Sequence, residues 1–248
     1  MFDSDAFNDA LFFPRRDWAP PPAGAIDLEV PGEATLHLRW HRSEPALPTL
    51  LLFHGNGEVV ADYDDAAEMF AEAGARLAVV DYRGYGRSAG TPTLRTAIAD
   101  ATRTLATMLA AAGAPLVVMG RSLGSACAAE LYGAMPDGVV GFVLESGFVE
   151  LAGLVRRRGL EAPGRFASED LAVFDPVPKL ARGTRPLLVL HGAEDALIPA
   201  SEAERAFAAA GTMEKNLVLV PNRGHNDLMG SRIYWDALRG FLASFSQR

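Results

Sequence analysis

The sequence contains a single cysteine, Cys127, in 248 residues. That excludes an intramolecular disulfide and fits a reducing compartment. No apolar run is long enough to span a bilayer. The least polar long stretch, Leu105 to Met119, is interrupted by Thr107, Gly113 and Pro115. The start, Met1-Phe2-Asp3-Ser4-Asp5, is acidic where a secretory leader is basic, and no apolar core follows it. Basic residues are outnumbered, 23 to 31, for a net charge of −8. This argues against nucleic acid or an anionic membrane surface as partner. HExxH and CxxC are both absent, and His37 and His41 point to one side of a predicted strand without a nearby acid, so no metal is expected. The glycine-rich segment Gly84 to Gly90 lacks GxGxxG spacing and is followed by Pro92, which argues against a dinucleotide loop. The expectation is a cytoplasmic protein without metal or other cofactor, with no nucleic-acid partner and no stable membrane insertion. Repeats and low-complexity tracts are missing too.

What is present reads as one large α/β domain over residues 1–248. Hydrophobic residues make up 49% of the chain, and the length suffices for a core on both sides of a sheet. Pro20-Pro21-Pro22 separates a short N-terminal arm, 1–22, from the body. Ile26–Val30 and Thr35–Arg42 alternate around Pro31-Gly32 and predict an antiparallel hairpin. From Leu50 onward, apolar strands alternate with helices. The predicted strands are Thr49–His54, Leu77–Tyr82, Leu116–Met119, Gly141–Glu145, Leu187–His191 and Leu217–Val220. Their continuous apolar character predicts parallel strands buried on both faces. Leu94, Ile98, Ala101, Leu105, Met108 and Leu109 keep helical spacing up to Gly113, a C-cap, with Thr91 as the N-cap and Pro92 in the first turn. Ser201 and Glu204 form a capping box for a helix closing at Gly211, and Tyr234, Leu238, Phe241, Leu242 and Phe245 form the stripe of the last helix. Together these predict a mostly parallel, doubly wound sheet with helices on both faces. Residues 149–183, charged and without clear periodicity, are expected to form a short cap over the strand ends.

The most informative stretch is Gly120-Arg121-Ser122-Leu123-Gly124, directly after an apolar strand and directly before the small-residue helix that opens at Ser125. A serine at such a sharp strand-to-helix turn presents its hydroxyl at the sheet edge, and the flanking glycines avoid collisions with neighbouring elements. The pattern alone is weak, and a second match, Gly86-Arg87-Ser88-Ala89-Gly90, lacks the helix that should follow. Ser88 therefore reads as a loop residue and Ser122 as the candidate nucleophile. Cys127, on the helix after the turn, reads as a buried thiol that packs like alanine.

Ligands in such a sheet bind beyond the carboxyl ends of its strands. Two further groups fall there: Asp195 in His191-Gly192-Ala193-Glu194-Asp195, and His225 in Arg223-Gly224-His225-Asn226-Asp227. Serine, then acid, then histidine is the chain order of the hydrolase triad. His225 would take the hydroxyl proton during attack and Asp195 would hold the imidazole in one tautomer. Glu145, at another strand end, is the competing acid. Strand Thr49–His54 runs into His54-Gly55-Asn56-Gly57, where backbone can approach a substrate closely. The N–H groups of Asn56 and Leu123 are the candidate oxyanion donors. His54 and His191 read as packing or hydrogen-bonding residues, and Arg156-Arg157-Arg158 as a solvated face rather than a contact for an acidic substrate.

On these strings, together with Asp81-Tyr82-Arg83-Gly84-Tyr85-Gly86-Arg87-Ser88, the chain resembles the α/β-hydrolase superfamily. It is similar to the small serine hydrolases of the serine-aminopeptidase-like and depalmitoylase-like group; Phe12-Phe13-Pro14 is similar to the arm of that group. The resemblance implies a triad of Ser122, Asp195 and His225 and no cofactor. The membrane-attached relatives carry a cysteine-rich N-terminal anchor that this sequence lacks. The expected activity is hydrolysis of a small-molecule ester or thioester through an acyl-enzyme on Ser122, at an open site under a short cap. An aminopeptidase-like serine peptidase and a non-catalytic binding protein of the same fold are the alternatives.

Overall fold

A mixed sheet fills the centre of the computed structural model, which describes residues 1–41, 47–113 and 115–245. Its strands are β1 (Ala25–Val30), β2 (Leu36–His41), β3 (Thr49–Phe53), β4 (Arg76–Val80), β5 (Leu116–Arg121), β6 (Val139–Glu145), β7 (Leu187–Gly192) and β8 (Lys215–Val220). They lie in the order β1-β2-β4-β3-β5-β6-β7-β8. β2 is antiparallel to both β1 and β4, and every other pair is parallel. The hairpin and the six predicted strands are thus all present, with ends moved by one or two residues: β5 to β8 run past the predicted apolar stretch, while β3 and β4 stop short of His54 and Tyr82. Arg42, expected at the end of the hairpin, lies outside the described residues.

The two-sided burial has its origin in the period of a strand. Leu50 and Leu52 join Leu77, Val79, Val117, Met119, Leu188 and Leu190 on one face, under Phe70 of α2 (Ala67–Glu72) and Tyr234, Leu238 and Leu242 of α9 (Arg232–Ala243). Leu51 and Phe53 join Val80, Val118, Phe142 and Leu144 on the other face. There they meet α3 (Leu94–Ala112), α4 (Ser125–Ala134), α7 (Pro176–Arg182) and α8 (Ser201–Ala209). Each fully buried aliphatic side chain of this kind contributes about 1.5–3 kcal/mol.

Three local expectations change. α3 is capped by Thr93, not Thr91: Thr93 Oγ1 accepts the Thr96 N–H and Thr96 Oγ1 accepts the Thr93 N–H, both at 3.0 Å. Pro92 therefore precedes the cap. The capping box at Ser201 does not form, because Ala200 is the cap residue and Ser201 already sits inside α8. Glu202 turns inward instead and accepts the N–H groups of Val149 and Glu150, each at 2.8 Å. The N-terminal arm is part of the core. It forms α1 (Asp5–Leu11), buries Phe2, Phe7 and Leu11, and sets the Phe2 ring 4.8 Å from that of Phe174. Asn8 Oδ1 of this helix accepts the first N–H of α3, from Leu94, at 2.9 Å.

The segment 149–183 carries α5 (Leu151–Arg157), α6 (Ser168–Phe174) and α7, of which α7 packs against α4 and α8. Among the described residues no helix is long and apolar enough to cross a membrane. Chain order reverses around β3, with β4 on one side and β5 on the other. The carboxyl ends of β3 and β5 therefore flank a crevice at the topological switch point.

Candidate active site

Ser122 directly follows β5 and has φ +50°, in the left-handed region. Holding a non-glycine residue there costs on the order of 1–3 kcal/mol, which the surroundings must over-determine. They do so by close backbone approach. A Cβ on Gly124 would lie 2.0 Å from the Phe53 carbonyl oxygen, and one on Gly120 would lie 2.4 Å from the Gly124 oxygen. Neither contact leaves room for a side chain, so the turn can be this tight only with glycine at both positions. Ser125 Oγ donates to the Ser122 carbonyl at 2.7 Å and accepts the Phe148 N–H at 3.3 Å, fixing the start of α4.

Three carboxyl-edge loops meet at this turn. His225 Nε2 lies 2.9 Å from Ser122 Oγ, and His225 Nδ1 lies 2.7 Å from Asp195 Oδ2. With the Nδ1 proton facing the carboxylate, Nε2 is the acceptor for the hydroxyl. Asp195 Oδ1 accepts the N–H groups of Leu197 and Ile198 at 2.9 and 2.8 Å, and His191 Nε2 lies 3.2 Å from Oδ2. Burial by itself would raise the Asp195 carboxyl; the hydrogen bonds from His191, His225 and Ile198 outweigh it and hold the group well below the usual carboxylate range. The loops carrying Asp195 and His225 are joined by Glu194 N–H to the Arg223 carbonyl at 2.9 Å. They pass so close that a Cβ on Gly192 would sit 2.3 Å from the Gly224 oxygen. Ser122 itself is recessed, 7% exposed.

Asn56 occupies the turn after β3, and its side chain is committed to the arm. Its Oδ1 accepts the Phe13 N–H at 3.0 Å and the Tyr85 hydroxyl at 2.6 Å, while Nδ2 donates to the Leu11 carbonyl. Arg15 adds a bond to the Gly57 carbonyl at 2.8 Å and an ion pair with Asp62. Leu123, buried, lies in the short helical turn Ser122–Gly124 that runs into α4. Its N–H belongs to a helix N-terminus, where the backbone dipoles favour an anion.

The remaining candidates have partners of their own. Glu145, the competing acid, bonds Arg121 and the Tyr234 hydroxyl and lies outside the histidine's reach in this network. His54 Nδ1 donates to the Gly55 carbonyl at 2.7 Å, and His191 Nε2 to that of Ile198 at 2.8 Å, both rings fully buried. Ser88 is a buried loop residue whose Oγ donates to the Asp81 carbonyl and accepts the His37 N–H, each at 2.8 Å. Of the arginine run, Arg156 pairs with Glu150, Arg157 with the buried Glu202, and Arg158 lies over the Phe13 ring, so only part of it is a solvated face. Cys127 is buried on α4, and burial pushes its thiol up, out of the reactive range.

His37 and His41 do have acids beside them, contrary to expectation. His37 lies between Asp81, at 2.8 Å, and Asp27, at 3.0 Å, and His41 Nε2 lies 3.1 Å from Asp64. Those acids come from a neighbouring strand and from crossover segments, so spacing along the chain could not show them. Among the described residues no group of three or more histidine, cysteine, aspartate or glutamate side chains is placed to hold a metal ion. A mainly apolar cavity of about 620 Å³ lies among α5 to α8, bordered by residues such as Leu151, Phe166 and Leu171 but by none of Ser122, Asp195 and His225.

The family model for serine aminopeptidase, S33, matches residues 44–169. The chain is 32% identical over 208 residues to the uncharacterized protein Rv2307c of Mycobacterium tuberculosis, covering 82% of this chain and 72% of that one. It is 27% identical over 228 residues to protein bem46 of Schizosaccharomyces pombe, covering 88% and 76%. Among solved structures, the esterase Pf2001 of Pyrococcus furiosus superposes with a TM-score of 0.73 at 17% identity over 94% of this chain and 99% of that one, a likeness of fold.

Proposed function

We propose, for a chain that belongs to the serine aminopeptidase S33 family of the α/β-hydrolase superfamily, that it is a serine hydrolase cleaving carboxylic ester or thioester bonds. The observation that carries this reading is the continuous relay from Ser122 Oγ through His225 to Asp195, at 2.9 and 2.7 Å. His225 Nε2 takes the hydroxyl proton as Oγ attacks the carbonyl carbon. The carbonyl oxygen gains the electron pair and is held by the N–H groups of Asn56 and Leu123, of which removing one donor typically costs about 10²–10³ in kcat. Collapse expels the alcohol or thiol, which leaves with the proton from His225. Water then repeats the sequence on the acyl-enzyme, releasing the acid and restoring Ser122.

The balance between ester and peptide substrates follows from the acids around the nucleophile. An aminopeptidase needs a free carboxylate for the substrate ammonium. Glu58 and Glu145 are instead engaged by Arg121, Tyr63 and Tyr234, which favours an uncharged acyl group.

The test combines a fluorophosphonate probe with a substrate panel of p-nitrophenyl esters from acetate to palmitate, a matching thioester and an aminoacyl-nitroanilide. Covalent labelling at Ser122 and ester turnover well above anilide turnover are expected. Faster anilide turnover would establish the peptidase, and a protein that takes no label would be the non-catalytic binding module. Gly192→Ala bears on the same geometry. Its Cβ must displace the loop that holds His225, and a misplacement near 1 Å costs about 10²-fold in rate. Ester turnover should drop accordingly with the far-ultraviolet circular dichroism unchanged; native turnover would show that the loops do not need this approach.

A further inference from the structure

The residue between glycine and nucleophile in the elbow, Arg121, has no role in the relay, yet its side chain is buried to within 8% of full exclusion. Its guanidinium joins three segments. Nε donates to Glu145 Oε1 at 3.1 Å, at the end of β6. Nη1 pairs with Glu58 Oε1. Nη2 donates to Asn226 Oδ1 at 2.8 Å and to the His225 carbonyl at 3.4 Å. Glu58 passes the connection on, because its Oε2 accepts the Gly55 N–H at 2.7 Å and the Tyr63 hydroxyl at 2.6 Å. Gly55 precedes Asn56, and it is packed so closely that a Cβ there would lie 2.3 Å from Arg121 Nη1. Glu145 Oε2 is closed off by the Tyr234 hydroxyl at 2.8 Å.

We propose that Arg121 is a positioning residue that sets the distance between the oxyanion turn at Asn56 and the base at His225, with the nucleophile's own strand as the reference. This rests on the hydrolase reading above. A guanidinium suits the task because its planar fork offers five N–H donors in fixed directions. One side chain can therefore bond two carboxylates, a carboxamide and a carbonyl at once. A lysine ammonium keeps the charge, but its three donors sit on one freely rotating nitrogen and cannot span those partners. The loops would remain folded and neutralised yet lose their common register. Catalysis should suffer and substrate binding should not, since Arg121 and Glu58 spend their polar atoms on each other and on other protein groups. A cavity of about 310 Å³ borders Arg121, Glu58, Tyr63, Glu145 and Asn226. It gives a small cation a way to the position that a truncated side chain would leave.

The experiment compares native enzyme, Arg121→Lys, Arg121→Ala and Asn226→Ala on one p-nitrophenyl ester, with active sites counted by fluorophosphonate. Per labelled site, Arg121→Lys should lose about 10²-fold in kcat, the scale of a 1 Å misplacement, with KM within threefold as roughly expected for lost transition-state contacts alone. Millimolar guanidinium should restore part of the kcat of Arg121→Ala. If the Arg121 variants do not fold, Asn226→Ala decides, since from an exposed residue it removes the shorter of the two bonds to the histidine loop and leaves only the 3.4 Å bond to the His225 carbonyl. It should lower kcat several-fold at constant KM and melting temperature. Native kcat per labelled site in Arg121→Lys or, failing that, in Asn226→Ala would overturn the proposal. So would guanidinium that restores the melting temperature of Arg121→Ala without restoring its kcat. A native enzyme that neither labels nor turns over ester would sink the hydrolase reading and this proposal together, which sets that failure apart from the others.

Discussion

Ser122→Ala should abolish ester turnover, lowering kcat by a factor on the order of 10⁴–10⁶, as removal of a triad nucleophile does elsewhere. The variant should also take no fluorophosphonate label. The argument is one of electron pairs. Without Oγ no acyl-enzyme forms, and what remains is water attacking a carbonyl polarised by the proposed donors, the N–H groups of Asn56 and Leu123. The fold should not suffer. The hydroxyl bonds His225 Nε2, while the bonds that build the turn run through backbone, the Ser122 carbonyl to Ser125 Oγ among them. The left-handed φ of +50° is as strained for alanine as for serine, so that cost is unchanged. Active sites hold such strain at the expense of stability, and a melting temperature equal to or slightly above the native one is expected. Calorimetry and steady-state kinetics on the same preparation check both halves. A variant that kept native turnover would show that the reactive group is elsewhere.

The legibility of this site in the sequence had a simple physical basis. β3, β5, β6 and β7 are flanked by paired strands and covered on both faces, so their residues are apolar almost without interruption, and Leu50–Phe53 or Leu116–Met119 stand out at once. Ser122 directly follows β5 and Asp195 lies just beyond β7, while His225 lies beyond the edge strand β8, whose apolar end Leu217–Val220 is still readable. Chain order then sufficed to bring them to one edge, because parallel strands align their carboxyl ends. Gly113 was legible as well, since a left-handed residue at a helix end favours glycine, and its φ is +57°.

What the sequence concealed depends on contacts between distant segments. Nothing along the chain marks Arg121 as a hub, because Glu58 and Asn226 lie on two other loops, Glu145 closes β6, and nothing in their spacing joins them. His37 and His41 looked acid-free for the same reason: Asp27 crosses from β1, while Asp64 and Asp81 belong to connections between other elements. α1 is only seven residues long, too short for periodicity to separate a docked helix from a loose arm. Its docking depends on Phe166 and Phe174, far along the chain. The box at Ser201 failed because tertiary demand took precedence. Glu202 was needed inward against the N–H groups of Val149 and Glu150, and a first turn rotated to supply it leaves Ser201 already helical.

Asp195→Asn should lower kcat by about 10⁴-fold, the scale seen when a triad acid becomes its amide, and the structure says why so conservative a change is so costly. Oδ1 accepts two backbone N–H groups, from Leu197 and Ile198, at 2.9 and 2.8 Å. A carboxamide must keep its oxygen there, since an NH₂ facing two donors would leave all of them unpaired in a buried place. The NH₂ is then directed at the position of Oδ2, opposite His225 Nδ1 at 2.7 Å. A donor at that point requires Nδ1 to be the acceptor, which moves the imidazole proton to Nε2. Nε2 now faces Ser122 Oγ with a proton already on it and cannot take another. KM should change little, because nothing in this exchange touches the acyl group. Stability carries a second signature. The folded carboxyl titrates below its unfolded value, near 3.9 for a free aspartate, so its ionised form contributes stability that is fully present above that pH. The contribution is lost as pH falls through the folded value. Thermal melts of native protein should therefore decline more steeply in acid than those of Asp195→Asn, the difference opening only below about pH 4. An amide variant with native kcat, or two melting curves that run parallel into acid, would mean that the carboxylate neither fixes the tautomer nor carries its charge in the folded state.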